Sequence, residues 1–116
     1  LPDIYTEDNL IEAEIPFDGN VKALRIDPAD RCCMVKVSEL LVNGAAVPLN
    51  KKQIITNGAI LGKDSYVFAT EDPNMTIIMD GIPRIGENIL SVKLEIAPLP
   101  YSLAQTIAES KRKLFG

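Results

Sequence analysis

Ile11-Glu12-Ala13-Glu14-Ile15 alternates apolar and charged residues, and this alternation recurs through most of the chain. Successive side chains of a β-strand point to opposite faces, so three apolar side chains share one face and two carboxylates share the other. The pattern predicts a half-buried strand over residues 11–15. We expect this strand to end at Pro16, before the turn Asp18-Gly19-Asn20.

Short strands of the same kind follow at near-regular spacing. Asn43-Gly44 is a strong hairpin signal, and Asn57-Gly58 marks another turn. About eight strands at such spacing are typical of a β-sandwich or a barrel, and we predict an all-β, antiparallel, jelly-roll-like sandwich. The further predicted strands cover residues 21–27, 34–42, 47–49, 53–56, 66–68, 75–79 and 88–96.

The last segment changes to a helical period. Pro98 and Pro100 close the strand region, and Ser102 and Gln105 have the spacing of a capping box. We predict a helix from about residue 103 to 115. Its helically spaced residues are Leu103, Ile107, Ser110 and Leu114.

Two units follow from this pattern. We predict a β-sandwich domain over residues 1–100 and a C-terminal helix over residues 101–116. The narrow apolar stripe of the helix fits either packing along the sandwich or a lead into a neighbouring domain of the same chain. Because the sequence starts at Leu1 without an initiator methionine, we expect it to be part of a longer protein.

Composition excludes several classes of protein. Of the 116 residues, 47% are hydrophobic and 24% are charged, as in a typical globular domain. No apolar run approaches the about 18 residues of a membrane span. The chain has no histidine, which removes the commonest general base and most zinc sites. Its net charge of −4 argues against a nucleic-acid partner. We expect no cofactor.

Cys32 and Cys33 are adjacent, so in a strand they point to opposite faces and are poorly placed to form a disulfide with each other. We interpret them as reduced thiols of a cytoplasmic protein. Either one is a small buried hydrophobe and the other an exposed thiol, or the pair has a redox role.

Five aspartates occupy predicted turns, where a β-domain can gather side chains into a site. Aspartate before proline is well explained by a side chain that bonds to the backbone two residues on, and we favour this structural role. A structural calcium site built from the same carboxylates and loop carbonyls stays open. A small enzyme that uses turn carboxylates has no supporting spacing. The five residues are Asp27, Asp30, Asp64, Asp72 and Asp80.

Few side chains suit sugar binding, because the chain has no tryptophan to form an aromatic platform. Tyr66 shares one strand face with Phe68, and we expect both in the core. Arg25 faces away from its apolar neighbours and is suited to hold a carboxylate or a hydroxyl. We favour instead a cross-strand ion pair with Glu12 or Glu14.

Two stretches carry a family resemblance: Leu24-Arg25-Ile26-Asp27-Pro28, and Glu71-Asp72-Pro73-Asn74 leading into the next strand. Together they resemble the galactose-binding-like β-sandwich that accompanies bacterial family 2 glycosyltransferases of cell-surface polysaccharide synthesis. The resemblance covers about residues 11–96.

The resemblance implies a non-catalytic accessory module, with the transferase chemistry in another domain. Such a module positions the catalytic domain or weakly binds acceptor glycan, and its partners are adjacent domains of the same chain. The alternative is a free-standing carbohydrate-binding module with a structural calcium site. We expect no catalytic residue in this chain, and the candidate ligand contacts are Arg25, Asp27, Tyr66, Asp72 and Asn74.

Overall fold

The computed structural model describes the backbone of residues 9–115 and the side chains of residues 9–110. Within this part of the chain, nine strands form two antiparallel sheets, followed by one helix. The predicted all-β sandwich with a C-terminal helix is therefore confirmed. The elements are β1 (Leu10–Asp18), β2 (Ala23–Ile26), β3 (Cys33–Val42), β4 (Ala45–Ala46), β5 (Ile54–Thr56), β6 (Ala59–Leu61), β7 (Ser65–Phe68), β8 (Met75–Ile78), β9 (Glu87–Pro98) and α1 (Tyr101–Phe115).

The larger sheet, sheet A, has the strand order β1-β9-β3-β7-β6, and β4 also pairs with β3. The smaller sheet, sheet B, has the order β2-β8-β5. Apolar side chains from both sheets form the main core, and several are fully buried. Tyr66 and Phe68 lie in this core as predicted, with ring centres 6.5 Å apart. The other fully buried side chains include Val35, Ile77, Leu90 and Leu94.

β1 does not end at Pro16, as the sequence predicted, but continues to Asp18. The N–H of Gly19 donates to the carbonyl of Gly86, in line with the β1–β9 register. In an antiparallel ladder alternate residues direct both backbone groups to the same neighbour, so odd-numbered residues of β1 face β9 and even-numbered ones face away. Pro16 thus stands where an N–H would point away from the sheet, a position that tolerates proline.

β3 contains a bulge and ends in the predicted hairpin. Its register against β9 shifts between Val37 and Glu39, which leaves two successive exposed residues in an otherwise alternating strand. Asn43 and Gly44 both have positive φ, as a two-residue hairpin turn requires. The sequence did not predict β6, which follows the Asn57-Gly58 turn.

Helix α1 lies along the sandwich, on the outer face of sheet A. Ala104 and Ala108 form its buried side with the partly buried Ile107. Ala104 and Ile107 pack in a cluster that includes Val67. The predicted stripe is wrong at Leu103, which is 46% exposed. The side chains of its last turn, including Leu114, lie outside the described residues.

The predicted capping box is also wrong. α1 begins at Tyr101, which places Ser102 inside the helix rather than at its cap. The Ser102 carbonyl accepts from the hydroxyl of Thr106, and the Gln105 amide donates to Glu109. The N–H of Ala104 donates to the carbonyl of Pro100.

Within the described residues, no helix combines the length and apolarity that a membrane crossing requires.

Both cysteines are buried and unpaired, so the expectation of one exposed thiol is wrong. Cys33 enters the main core, whereas Cys32 belongs to the cluster that α1 covers. The two side chains do point to opposite faces, but the helix shields the outer one. Burial raises the pKa of the Cys33 thiol to about 11. A protonated, inaccessible thiol at this position supports packing rather than reactivity.

Candidate functional site

Arg25 lies on the exposed face of sheet B, at one end of a row across the three strands. It pairs in register with Thr76 of β8, which in turn pairs with Ile55 of β5. The predicted ion pair with Glu12 or Glu14 is wrong, because those residues belong to sheet A. Alternation identified the face on which Arg25 lies within its strand but not the sheet that contains the strand.

Two Asp-Pro turns meet beside Arg25. β2 and β8 are antiparallel neighbours, and Ile26 at the end of β2 pairs with Met75 at the start of β8. This register brings the turn after β2 next to the turn before β8. The prolines of both turns, Pro28 and Pro73, are buried. The buried rings anchor the turns, so the preceding aspartates project into solvent from fixed backbone.

Arg25 joins the two aspartates. Its Nε donates to Oδ1 of Asp27 at 2.7 Å, and its Nη2 lies 3.7 Å from Oδ1 of Asp72. All three side chains are more than half exposed. Solvent therefore screens these pairs, and each contributes little to stability. Their consequence is orientation, since the hydrogen bond to Asp27 directs the Nε edge of the guanidinium and Asp72 lies beside its Nη2.

Amide side chains hold the turn before β8, which contains Asp72. Asn57, just after β5, donates through Nδ2 to the carbonyl of Asp72 at 2.8 Å and accepts the N–H of Asn74 at 3.0 Å. Asn74 also donates to the Asp72 carbonyl at 3.2 Å. The hydroxyl of Thr56 donates to the carbonyl of Asn74 at 2.7 Å. These bonds tie the end of β5 to the turn before β8.

We call Arg25, Asp27, Asn57, Asp72 and Asn74 the Arg25 cluster. The hydrogen bond and charge of Asp27 raise the pKa of Arg25, so the guanidinium stays protonated. The cluster combines a planar cation, two carboxylates and two amides on an exposed surface. Such a set both donates to and accepts from hydroxyl groups, as recognition of a polyol requires.

Sequence interpretation found most of this cluster. The structure brings together Arg25, Asp27, Asp72 and Asn74 of the five candidate ligand contacts. Tyr66 is 3% exposed and lies in the main core instead. Asn57 was missed as a contact, although its Asn-Gly turn had been identified. The signal available was an amide at a strand end, a position that often bonds neighbouring backbone.

The turn aspartates do not assemble a metal centre. In the part of the chain that the structure describes, no three histidine, cysteine or acidic side chains are grouped closely enough to hold a metal ion. Asp27 and Asp72 instead meet Arg25, whereas Asp30 lies 3.5 Å from its neighbour Arg31. The calcium alternative therefore has no cluster of ligands among the described residues.

A carboxylate pair across an arginine on an open surface is also unlike the carboxylate pair of a glycosidase, which flanks the bond to be broken. The geometry of the Arg25 cluster supports binding.

Comparison of the chain with protein-family models, with curated proteins and with solved structures gives no match.

Proposed function

We propose that the chain is a non-catalytic β-sandwich module of a larger glycosyltransferase-like protein and that it contacts acceptor glycan through the Arg25 cluster. The observation that supports this proposal is the meeting of the two Asp-Pro turns at Arg25, held at 2.7 Å by Asp27. The same two stretches carry the resemblance to accessory domains of family 2 glycosyltransferases. Two free, buried cysteines fit a reducing compartment such as the cytoplasm.

Neutral saccharide is the ligand class that this surface suits best. Arg25 is already balanced by two carboxylates, so a charged ligand would have to displace one of them. A hydroxyl pair can instead bridge a guanidinium N–H and a carboxylate oxygen without breaking the cluster. Ile55, 53% exposed and in the same row as Arg25, offers apolar surface to a sugar C–H face. Without an aromatic platform the affinity should be low, on the order of millimolar.

The binding test is an NMR titration of the isotope-labelled chain with neutral mono- and oligosaccharides. We expect shifts at the Arg25 Nε–H and at the side-chain amides of Asn57 and Asn74. Arg25→Gln should abolish these shifts. Arg31→Gln is the matched control, because Arg31 is also exposed and also pairs with an aspartate, at 3.5 Å.

Two results would contradict the proposal. If the folded chain shows no saccharide-dependent shift at the cluster, the binding role is wrong. If Arg31→Gln weakens binding as much as Arg25→Gln, loss of a positive charge rather than the site explains the effect. The accessory role has a separate test, since the parent reading frame should also encode a transferase domain.

A further inference from the structure

β1 lies at an edge of sheet A. It pairs along its length with β9, and within the described residues no other strand pairs with it. An open edge offers unpaired backbone donors and acceptors to an incoming strand. Such an edge is the receptor in strand-addition complexes, where main-chain bonds supply affinity and side chains supply specificity.

The direction of the backbone groups on β1 follows from two hydrogen bonds. Gly19 donates to Gly86 on the β9 side, and Asn43 donates to the carbonyl of Ile89 from the β3 side. The first bond shows that odd-numbered residues of β1 direct their backbone N–H and C=O groups to β9. The second shows that odd-numbered residues of β9 direct theirs to β3, which agrees with the register of both pairings. Leu10, Glu12 and Glu14 therefore direct both N–H and C=O away from the sheet.

The same residues carry the charge of this edge. Glu12 and Glu14 are exposed on the outer face, and neither has an ion pair within the described residues. Glu12 has Lys93 as its neighbour on β9, whereas Glu14 has the uncharged Ser91. A strand added to β1 would place residues directly opposite both glutamates, at the distance of hydrogen-bonded pairs.

The other face of the edge is apolar. Ile11 and Ala13 are half-buried, and Ile15 remains 37% exposed although it points toward the core side. Natural edges are commonly blocked by lysine, proline or a bulge. On β1 the block is limited to Pro16 near one end, and residues 10–14 keep every outward N–H. An added strand with apolar residues on the inner side would extend the core.

A second copy of this chain fits the edge poorly. In a two-fold antiparallel pair centred on Ala13, Glu12 lies opposite Glu14. Centring the pair on Glu12 or on Glu14 places that residue opposite itself. Centring it on Ile15 places Glu12 opposite Asp18. Like charges directly opposite each other destabilise a strand pair, so self-pairing is opposed in each of these registers.

We propose that the free edge of β1 binds an extended polypeptide segment of a partner protein, with lysine or arginine at alternate positions and small apolar residues between them. The basic residues lie opposite Glu12 and Glu14, and the apolar ones continue the row of Ile11, Ala13 and Ile15. The main-chain bonds use the outward groups of Leu10, Glu12 and Glu14.

The test uses amide hydrogen exchange of the whole chain with two blocked peptides of about seven residues. One peptide alternates lysine and valine, and the other has glutamate in place of lysine. The lysine peptide should slow exchange of the Glu12 and Glu14 amides by at least about tenfold at saturation. The amides of Ile11, Ala13 and Ile15, already bonded to β9, should be protected before the peptide is added.

Variants separate charge from backbone. Exchanging both Glu12→Lys and Glu14→Lys should reverse the preference toward the glutamate peptide, by about tenfold in each direction. Glu39→Lys is the control, because it changes charge on the same face but on the interior strand β3. Glu14→Pro should weaken the lysine peptide more than Glu14→Gln, since both remove the charge but the proline also removes an outward N–H.

Four outcomes would overturn the proposal. Slow exchange of the Glu12 and Glu14 amides in the free chain would mean that another segment of the chain already covers the edge. Equal binding of the two peptides would show that the edge does not select a basic partner. Equal weakening by Glu14→Pro and Glu14→Gln would show that binding does not use the outward backbone N–H of a strand addition. A dimer in sedimentation that Glu14→Pro dissociates would make a second copy the occupant.

Discussion

Asn88 is the buried polar side chain on which one end of the sandwich depends. It is 2% exposed, and its Nδ2 donates to the carbonyls of Phe17 at 3.4 Å and Ile85 at 2.9 Å. Its Oδ1 accepts the Ile85 N–H at 2.8 Å and the Nδ2 of Asn43 at 2.9 Å. A single amide thus joins β1, the loop before β9 and the β3–β4 turn.

Asn88→Ala should lower the free energy of unfolding by about 2–3 kcal/mol. The two bonds to Ile85 dominate, because the bond to Phe17 is long and the exposed Asn43 can bond water instead. Each net bond contributes about 1 kcal/mol, and the truncated side chain adds a small cavity. A domain of this size loses about 4 °C of thermal midpoint for each kcal/mol of stability, so the midpoint of thermal unfolding should fall by about 10 °C.

Urea unfolding followed by circular dichroism measures this change directly. The control is Asn20→Ala, because the exposed Asn20 side chain makes no hydrogen bond within the described residues. The control should stay within about 0.5 kcal/mol of the original chain. If Asn88→Ala lowers the free energy of unfolding by less than about 1 kcal/mol, the hydrogen bonds of Asn88 do not hold this end of the sandwich together.

Asn88→Asp adds a pH dependence with a definite sign. The introduced carboxylate would face the carbonyl oxygens of Phe17 and Ile85, so the folded chain should raise its pKa above the unfolded value of about 4. When a carboxyl group has a raised pKa in the folded state, its contribution to stability is fully present below the unfolded pKa. That contribution is lost as the pH rises through the folded pKa. The variant should therefore lie closer to the original chain at pH of about 3.5 than at neutral pH. An equal gap at both pH values would contradict the geometry.

Three further predictions concern the core and the helix. Gly58→Ala should lower stability by about 1–3 kcal/mol in urea unfolding, because the added Cβ would come within 2.7 Å of the buried Phe68 ring; no change would mean that the ring moves freely. Cys33 should resist iodoacetamide in the folded chain, and its thiol should lower stability only as pH rises from about 9 through about 11; rapid labelling at neutral pH would contradict its burial. Ala104→Glu should detach α1 from sheet A and raise amide exchange in the helix, whereas the exposed Ser102→Glu should not; equal effects would contradict the docking.

Much of the fold could be predicted because the chain repeats one local signal. Alternation identifies a strand and its buried face, and Asn-Gly or Asp-Pro dipeptides identify its ends. The errors have local causes as well. Pro16 looked like a strand end because periodicity does not show which strands are at an edge, and only edge strands accept proline at outward positions.

The candidate site was partly predictable for a related reason. Arg25, Asp27 and Asp72 could be singled out because they flank turns and point away from apolar neighbours. Their meeting could not be predicted, because strands as distant in sequence as β2 and β8 pair through sheet topology rather than local pattern. The expected ion pair of Arg25 with Glu12 or Glu14 was wrong because β1 and β2 belong to different sheets. The amide of Asn57 is equally a product of topology, since it contacts a turn 15 residues away.

The two proposed surfaces lie on different sheets, so their roles can be separated by mutation. The Arg25 cluster belongs to sheet B, and the open edge is β1 of sheet A. Changes more than about 7–10 Å apart without shared partners act additively. Arg25→Gln should therefore leave the exchange protection by the lysine peptide unchanged, and Glu14→Pro should leave the saccharide shifts unchanged. Coupling between the two variants would mean that ligand at one sheet alters the other through the core that both sheets share.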